Sequence, residues 1–157
     1  MGMGVAQART PVEVEVEAVR RQFDFWLGEW DATWGDGDQG TNSVYQDFEG
    51  KVIVENFDAR PASEYQGLSL SVYDVSAGRW KQTWVDSEGN YLDFVGGWDG
   101  SEMVLCREST TPEGTPASFR MRWFEIGDEA FDWAWERSLD GGAAWEALWE
   151  IRYSRVV

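Results

Sequence analysis

Arg79-Trp80-Lys81-Gln82-Thr83-Trp84-Val85-Asp86-Ser87-Glu88-Gly89-Asn90-Tyr91-Leu92-Asp93-Phe94-Val95-Gly96-Gly97-Trp98-Asp99-Gly100 is the stretch that decides the fold. It reads as two strands and two turns. From Arg79 to Asp86, Trp80, Gln82 and Trp84 fall on one face of an extended chain, with Lys81 and Thr83 on the other. Glu88-Gly89-Asn90 turns the chain into a second run, Tyr91 to Trp98. Asp99-Gly100 is a tight hairpin signal leading into a third, Glu102 to Ser109. Connections this short make neighbours in sequence neighbours in space.

The same rhythm extends in both directions. Upstream, strands are expected over Glu29 to Gly35 (closed by Asp36-Gly37-Asp38), Asn42 to Phe48, Lys51 to Phe57, and Gly67 to Val75. Gly50, Pro61 and Ala77-Gly78 punctuate them. Downstream, a Pro/Gly/Thr loop precedes Ser118 to Ile126; Gly127-Asp128 turns into Ala130 to Ser138, and Asp140-Gly141-Gly142 into Ala144 to Ser154. That last run is also rich in helix formers, with Trp145, Leu148, Trp149 and Arg152 at helical spacing. Alternation favours strand, placing Trp145, Ala147, Trp149, Ile151 and Tyr153 on one face. A meander of about ten strands either exposes two edges or closes, and closure removes the edges. The expectation is all-β: a closed up-and-down antiparallel barrel. Residues 12–157 would form it as one domain, behind a loose leader, 1–11. Val12 to Leu27 would be a short helical or irregular lead-in stopped by Gly28.

Composition bounds the partners. The chain has 157 residues, 43% hydrophobic and 27% charged, enough for one domain with a sizeable core. Thirteen basic residues face 29 acidic ones, a net charge of -16, which repels a phosphate backbone or an anionic membrane surface. There is no histidine, so Ser-His-Asp and Cys-His triads, the usual zinc sites and histidine-ligated haem are all removed. No metal and no cofactor is expected. Cys106 is the single cysteine, which rules out an internal disulfide and suits a reducing cytoplasm. Met1 to Arg9 lacks the apolar core of a secretory signal, and no stretch approaches a membrane span of ~20 apolar residues.

From Gly28-Glu29-Trp30 onward the chain resembles the lipocalin-like calycins, in which a short helix ends in glycine and a tryptophan on the first strand plugs the closed end. More closely, it looks like a bacterial family of lipocalin-like proteins. Phe23-Asp24-Phe25-Trp26-Leu27-Gly28-Glu29-Trp30, Gly67 to Asp74, Arg79 to Asp86, Arg120 to Trp123, Trp133 to Glu136 and Ile151 to Arg155 carry the likeness. The resemblance implies the fold and transfers no activity. Fatty-acid-binding calycins hold a carboxylate with an Arg-x-Tyr pair on the last strand; Arg152-Tyr153-Ser154-Arg155 departs from that order.

Eleven tryptophans dominate the candidate site. Trp80, Gln82 and Trp84 share one face, as do Phe131, Trp133 and Trp135, and Trp145, Trp149 and Tyr153; Trp123 marks a face with Phe119 and Met121. A ten-strand barrel is wider than one layer of side chains fills, so these faces read either as core or as the wall of a cavity. The expected cavity residues are Gln82, Trp84, Arg122, Trp123, Trp133, Trp135, Trp149 and Tyr153, with Arg122 either an anion clamp inside or the partner of Glu136 across two strands. Ser138-Leu139-Asp140-Gly141-Gly142-Ala143-Ala144-Trp145 looks like the structural Asp-box hairpin of sialidases, with Ala144 where that motif has threonine. Cys106 reads as a buried, inert thiol.

Three functions are in view. A binding barrel would hold a small apolar or amphipathic molecule. A lipocalin-like isomerase or cyclase would use Tyr153 with Glu136 or Asp86 as acid and base, and would need a buried carboxyl with a raised pKa. A structural or protein-binding barrel would expose a tryptophan patch and associate, with a homodimer as its simplest form. No catalytic constellation stands out, which favours binding.

Overall fold

The computed structural model describes residues 8–157. One short helical segment precedes ten antiparallel strands: β1 Gly28–Trp34, β2 Asp38–Asp47, β3 Val52–Asp58, β4 Gln66–Asp74, β5 Arg79–Asp86, β6 Tyr91–Trp98, β7 Met103–Thr110, β8 Pro116–Phe124, β9 Ala130–Ser138 and β10 Glu146–Arg155. Each strand pairs with its sequence neighbours, and β1 closes on β10 from Trp30–Arg155 to Thr33–Arg152. The result is a closed up-and-down barrel with no free edge. The helix formers of β10 are overruled by hydrogen-bonded neighbours on both sides.

The helix α1, Pro11–Arg20, begins on a capping box. Thr10 Oγ1 accepts from the Glu13 amide, and the Glu13 carboxylate accepts from the Thr10 amide. Pro11 occupies the first helical turn, where its missing N–H costs nothing. It therefore opens the helix, and of the expected leader residues 1–7 lie outside the described residues. A 3-10 turn, Arg21–Trp26, follows and delivers Phe23 and Trp26 into the barrel.

That turn plugs one end. The Phe23 ring lies 4.8 Å from Trp26, 5.3 Å from Trp80 and 5.0 Å from Trp123. The Trp30 indole donates to the Trp26 carbonyl at 2.8 Å, and the Arg155 guanidinium covers its ring at 4.3 Å while donating to the Leu27 carbonyl. Gly28 makes this approach feasible: its φ is +133°, and a Cβ there would collide with Arg155.

Several expected boundaries move. β2 starts at Asp38, not Asn42, because Gly35 and Gly37, both at positive φ, close a tight β1–β2 turn. Phe48 is not in the strand; it and Glu49 take positive φ in the β2–β3 turn. β8 ends at Phe124, where Glu125 also turns to positive φ. In β10 the register shifts between Ala147 and Trp149. The extra residue inverts the alternation: Trp149, Ile151 and Tyr153 face inward, whereas Trp145 lies outside under the Arg120 guanidinium, 4.0 Å away, and does not share their face.

Candidate functional site

The end of the barrel opposite the 3-10 turn is open, and a cavity of about 230 Å³ runs inward from it. The end of β5 and the start of β6 bring Asp86, Asn90 and Leu92 to its mouth. Six of the eight expected residues line it: Trp84 from β5, Trp123 from β8, Trp133 and Trp135 from β9, and Trp149 and Tyr153 from β10. Gln82 faces inward and is buried, but its amide donates to Ser71 Oγ at 2.9 Å and it is not part of the wall.

Arg122 is the correction. It is no anion clamp. Trp123 takes the inward position, so Arg122 lies on the outer face, where it pairs with Glu102 at 2.8 Å and with Glu136 at 3.3 Å. Glu136 also binds Arg120, to which it is directly opposed across β8 and β9. The same placement removes Glu136 as an acid or base partner for Tyr153.

The aromatic wall is organised around Trp149. Its ring meets Trp34 at 5.5 Å, Phe57 at 5.7 Å, Trp133 at 5.8 Å and Tyr65 at 6.1 Å, all steeply inclined to it. Trp84 depends on a small neighbour: a Cβ at Gly67, on the adjacent strand, would sit inside its indole. The rest of β4 follows suit. Ser69 and Ser71 point inward and are buried, while Leu68 and Leu70 are exposed outside, the reverse of the usual pattern.

One carboxyl was not foreseen. Glu55 on β3 lines the cavity between the inward residues Ile53 and Phe57, and is 8% exposed. Asn42 Nδ2 donates to one oxygen at 2.8 Å, and Ser69 Oγ to the other at 2.7 Å. No cation stands beside it among the described residues. Burial therefore outweighs these two neutral hydrogen bonds and pushes its pKa up to about 7. Tyr153, on β10, is raised by its own burial and by the Glu55 charge. Sequence alternation placed Glu55 with Ile53 and Phe57, the signal that would have found it.

Asp86 behaves differently. Burial raises it, but hydrogen bonds from Asn90, Trp84 and Tyr65 outweigh that and hold it below the usual carboxylate range. It is an ionised group tying the mouth together. Tyr65, pushed up by burial and by Asp86, stays a neutral donor to it. Elsewhere, Asp140 accepts from the Ala144 amide at 2.9 Å and from Ser138, as the Asp-box likeness implies. Cys106 is half-buried rather than fully buried, and burial raises its thiol against the pull of Arg120.

Among the described residues no group of acids and cysteine is placed to hold a metal ion, and no helix is long and apolar enough to cross a membrane. The chain matches no protein-family model and no curated protein sequence.

Proposed function

We propose that the protein binds one small apolar or amphipathic molecule inside the barrel. The observation that carries this reading is the cavity itself: about 230 Å³, plugged at one end, open at the other, and walled mainly by aromatic rings. Pockets for small molecules share this build, with apolar walls and a few polar groups that set orientation. The volume suits a single ring with a short chain and is too small for an extended lipid. The lone thiol suits the cytoplasm as its location. Native mass spectrometry of freshly purified protein is the test. Extra mass that departs on denaturation supports a ligand-carrying barrel. A bare mass together with no binding of one-ring molecules at millimolar concentration overturns it.

Glu55 favours a second reading, an isomerase or cyclase, because a buried carboxyl titrating near 7 suits proton transfer at neutral pH. Turnover of the recovered molecule, lost in Glu55→Gln, would select that reading; a molecule recovered unchanged after prolonged incubation counts against it.

A further inference from the structure

The polar groups of the cavity share one chemical property. Its ionisable carboxyls are Glu55 and Asp86, and neither lysine nor arginine contributes to its wall. At the inner wall both Glu55 oxygens accept hydrogen bonds, and each retains a free acceptor direction. Asn42, which bonds Glu55 but does not line the cavity, has its Oδ1 buried without a hydrogen-bond partner. The inner wall thus offers carboxylate acceptors and lacks positive charge, and the indoles of Trp84, Trp133 and Trp149 line the same cavity; the face of an indole carries negative potential. An ammonium over such rings gains cation–π attraction. A ligand carboxylate would face only like charge. The net charge of -16 extends the same preference outward, drawing cations to the mouth.

Resting on the binding reading above, we infer that the cavity selects an organic cation: a one-ring molecule whose protonated amine meets Glu55 while its body lies among Trp84, Trp133 and Trp149. The ammonium supplies the counter-charge that no protein side chain gives Glu55 among the described residues. Of the groups packed around Glu55, Tyr153 is the other titratable one, and it stays neutral; Asn42 and Ser69 carry no charge. Binding therefore favours ionised Glu55. Below neutral pH, entry of the amine expels the Glu55 proton, and affinity rises as pH climbs through about 7.

The test is titration calorimetry of the full chain with three molecules of matched shape: 2-phenylethylammonium, 2-phenylethanol and 3-phenylpropionate. At pH 8 the ammonium is expected to bind roughly 10- to 100-fold tighter than the alcohol, the range for a hydrogen bond to a buried charge. The carboxylate is expected to be weakest. Glu55→Gln should reduce the ammonium to the level of the alcohol. Titration of the native protein in buffers of different ionisation enthalpy stands independently of that variant's folding: at pH 6 the ammonium should release a proton and the alcohol none. Equal binding of alcohol and ammonium, tighter binding of the carboxylate, or absence of proton release overturns the cation inference and leaves the cavity reading intact. Failure of all three molecules to bind overturns both.

Discussion

Replacing Glu55 by glutamine isolates the energetic consequence of a carboxyl buried without a cation. Its pKa rises from an ordinary 4.5 to about 7 in the folded barrel. A carboxyl that holds its proton more tightly when folded stabilises the fold fully below about pH 4.5, and that contribution is lost as pH rises through about 7. The displacement corresponds to roughly 3 kcal/mol at 1.4 kcal/mol per pH unit. Glutamine imitates the protonated acid. Its oxygen can accept from Ser69, and a rotated Asn42 amide can offer its unpartnered Oδ1 to the glutamine NH2. Urea unfolding of both proteins, followed by circular dichroism at pH 4.5 and pH 8, gives a double difference in which the other carboxyls cancel. The variant should gain up to about 3 kcal/mol on the native protein between the two pH values, equivalent to a melting shift of roughly 6–12 °C. Parallel stability curves across that range would refute the argument, because they would mean Glu55 is solvated when folded.

Gly67→Ala drives a methyl group into the Trp84 indole. A loss of about 1–3 kcal/mol in urea unfolding is expected, together with weaker ligand uptake in native mass spectra; unchanged stability would show that Trp84 does not lie over Gly67. Arg155→Ala removes the cover of Trp30 and the bonds to the Leu27 and Asp128 carbonyls. It should cost about 2–4 kcal/mol and raise hydrogen exchange at Gly28 to Trp30, and an unaltered exchange pattern would contradict the plug.

Strand positions were legible where turn chemistry flanked both ends. β5, β6 and β9 run as expected because Gly78, Gly89, Asp99-Gly100, Gly127-Asp128 and Asp140 each stop a strand. The start of β2 was hidden because Asp38 to Thr41 carries no apolar residue, and only pairing with β1 makes it strand. Facing was harder. β3 opens Val52-Ile53-Val54, apolar on both sides, so only alternation with Ile53 and Phe57 hints that Glu55 points in. β4 inverts the usual code, since the Trp84 indole from β5 fills the volume Gly67 leaves and the inward serines bond Glu55 and Gln82. On β10, a single extra residue transfers Trp145 to the outside. The tryptophan wall was visible in the sequence because bulk and alternation coincide on β8 and β9, whereas the carboxyl at its inner end was not.

Trp149 lies edge-on to Trp34 and Trp133 with ring centres 5.5 and 5.8 Å apart, and five of the eleven tryptophans border the cavity. Indoles this close exchange excitation, so their strong far-ultraviolet transitions mix into paired bands of opposite sign. Any guest that turns or wedges apart one ring rewrites that signature. The barrel is in this sense its own chromophoric gauge, and occupancy can be followed in unlabelled protein by the sign and amplitude of an exciton couplet.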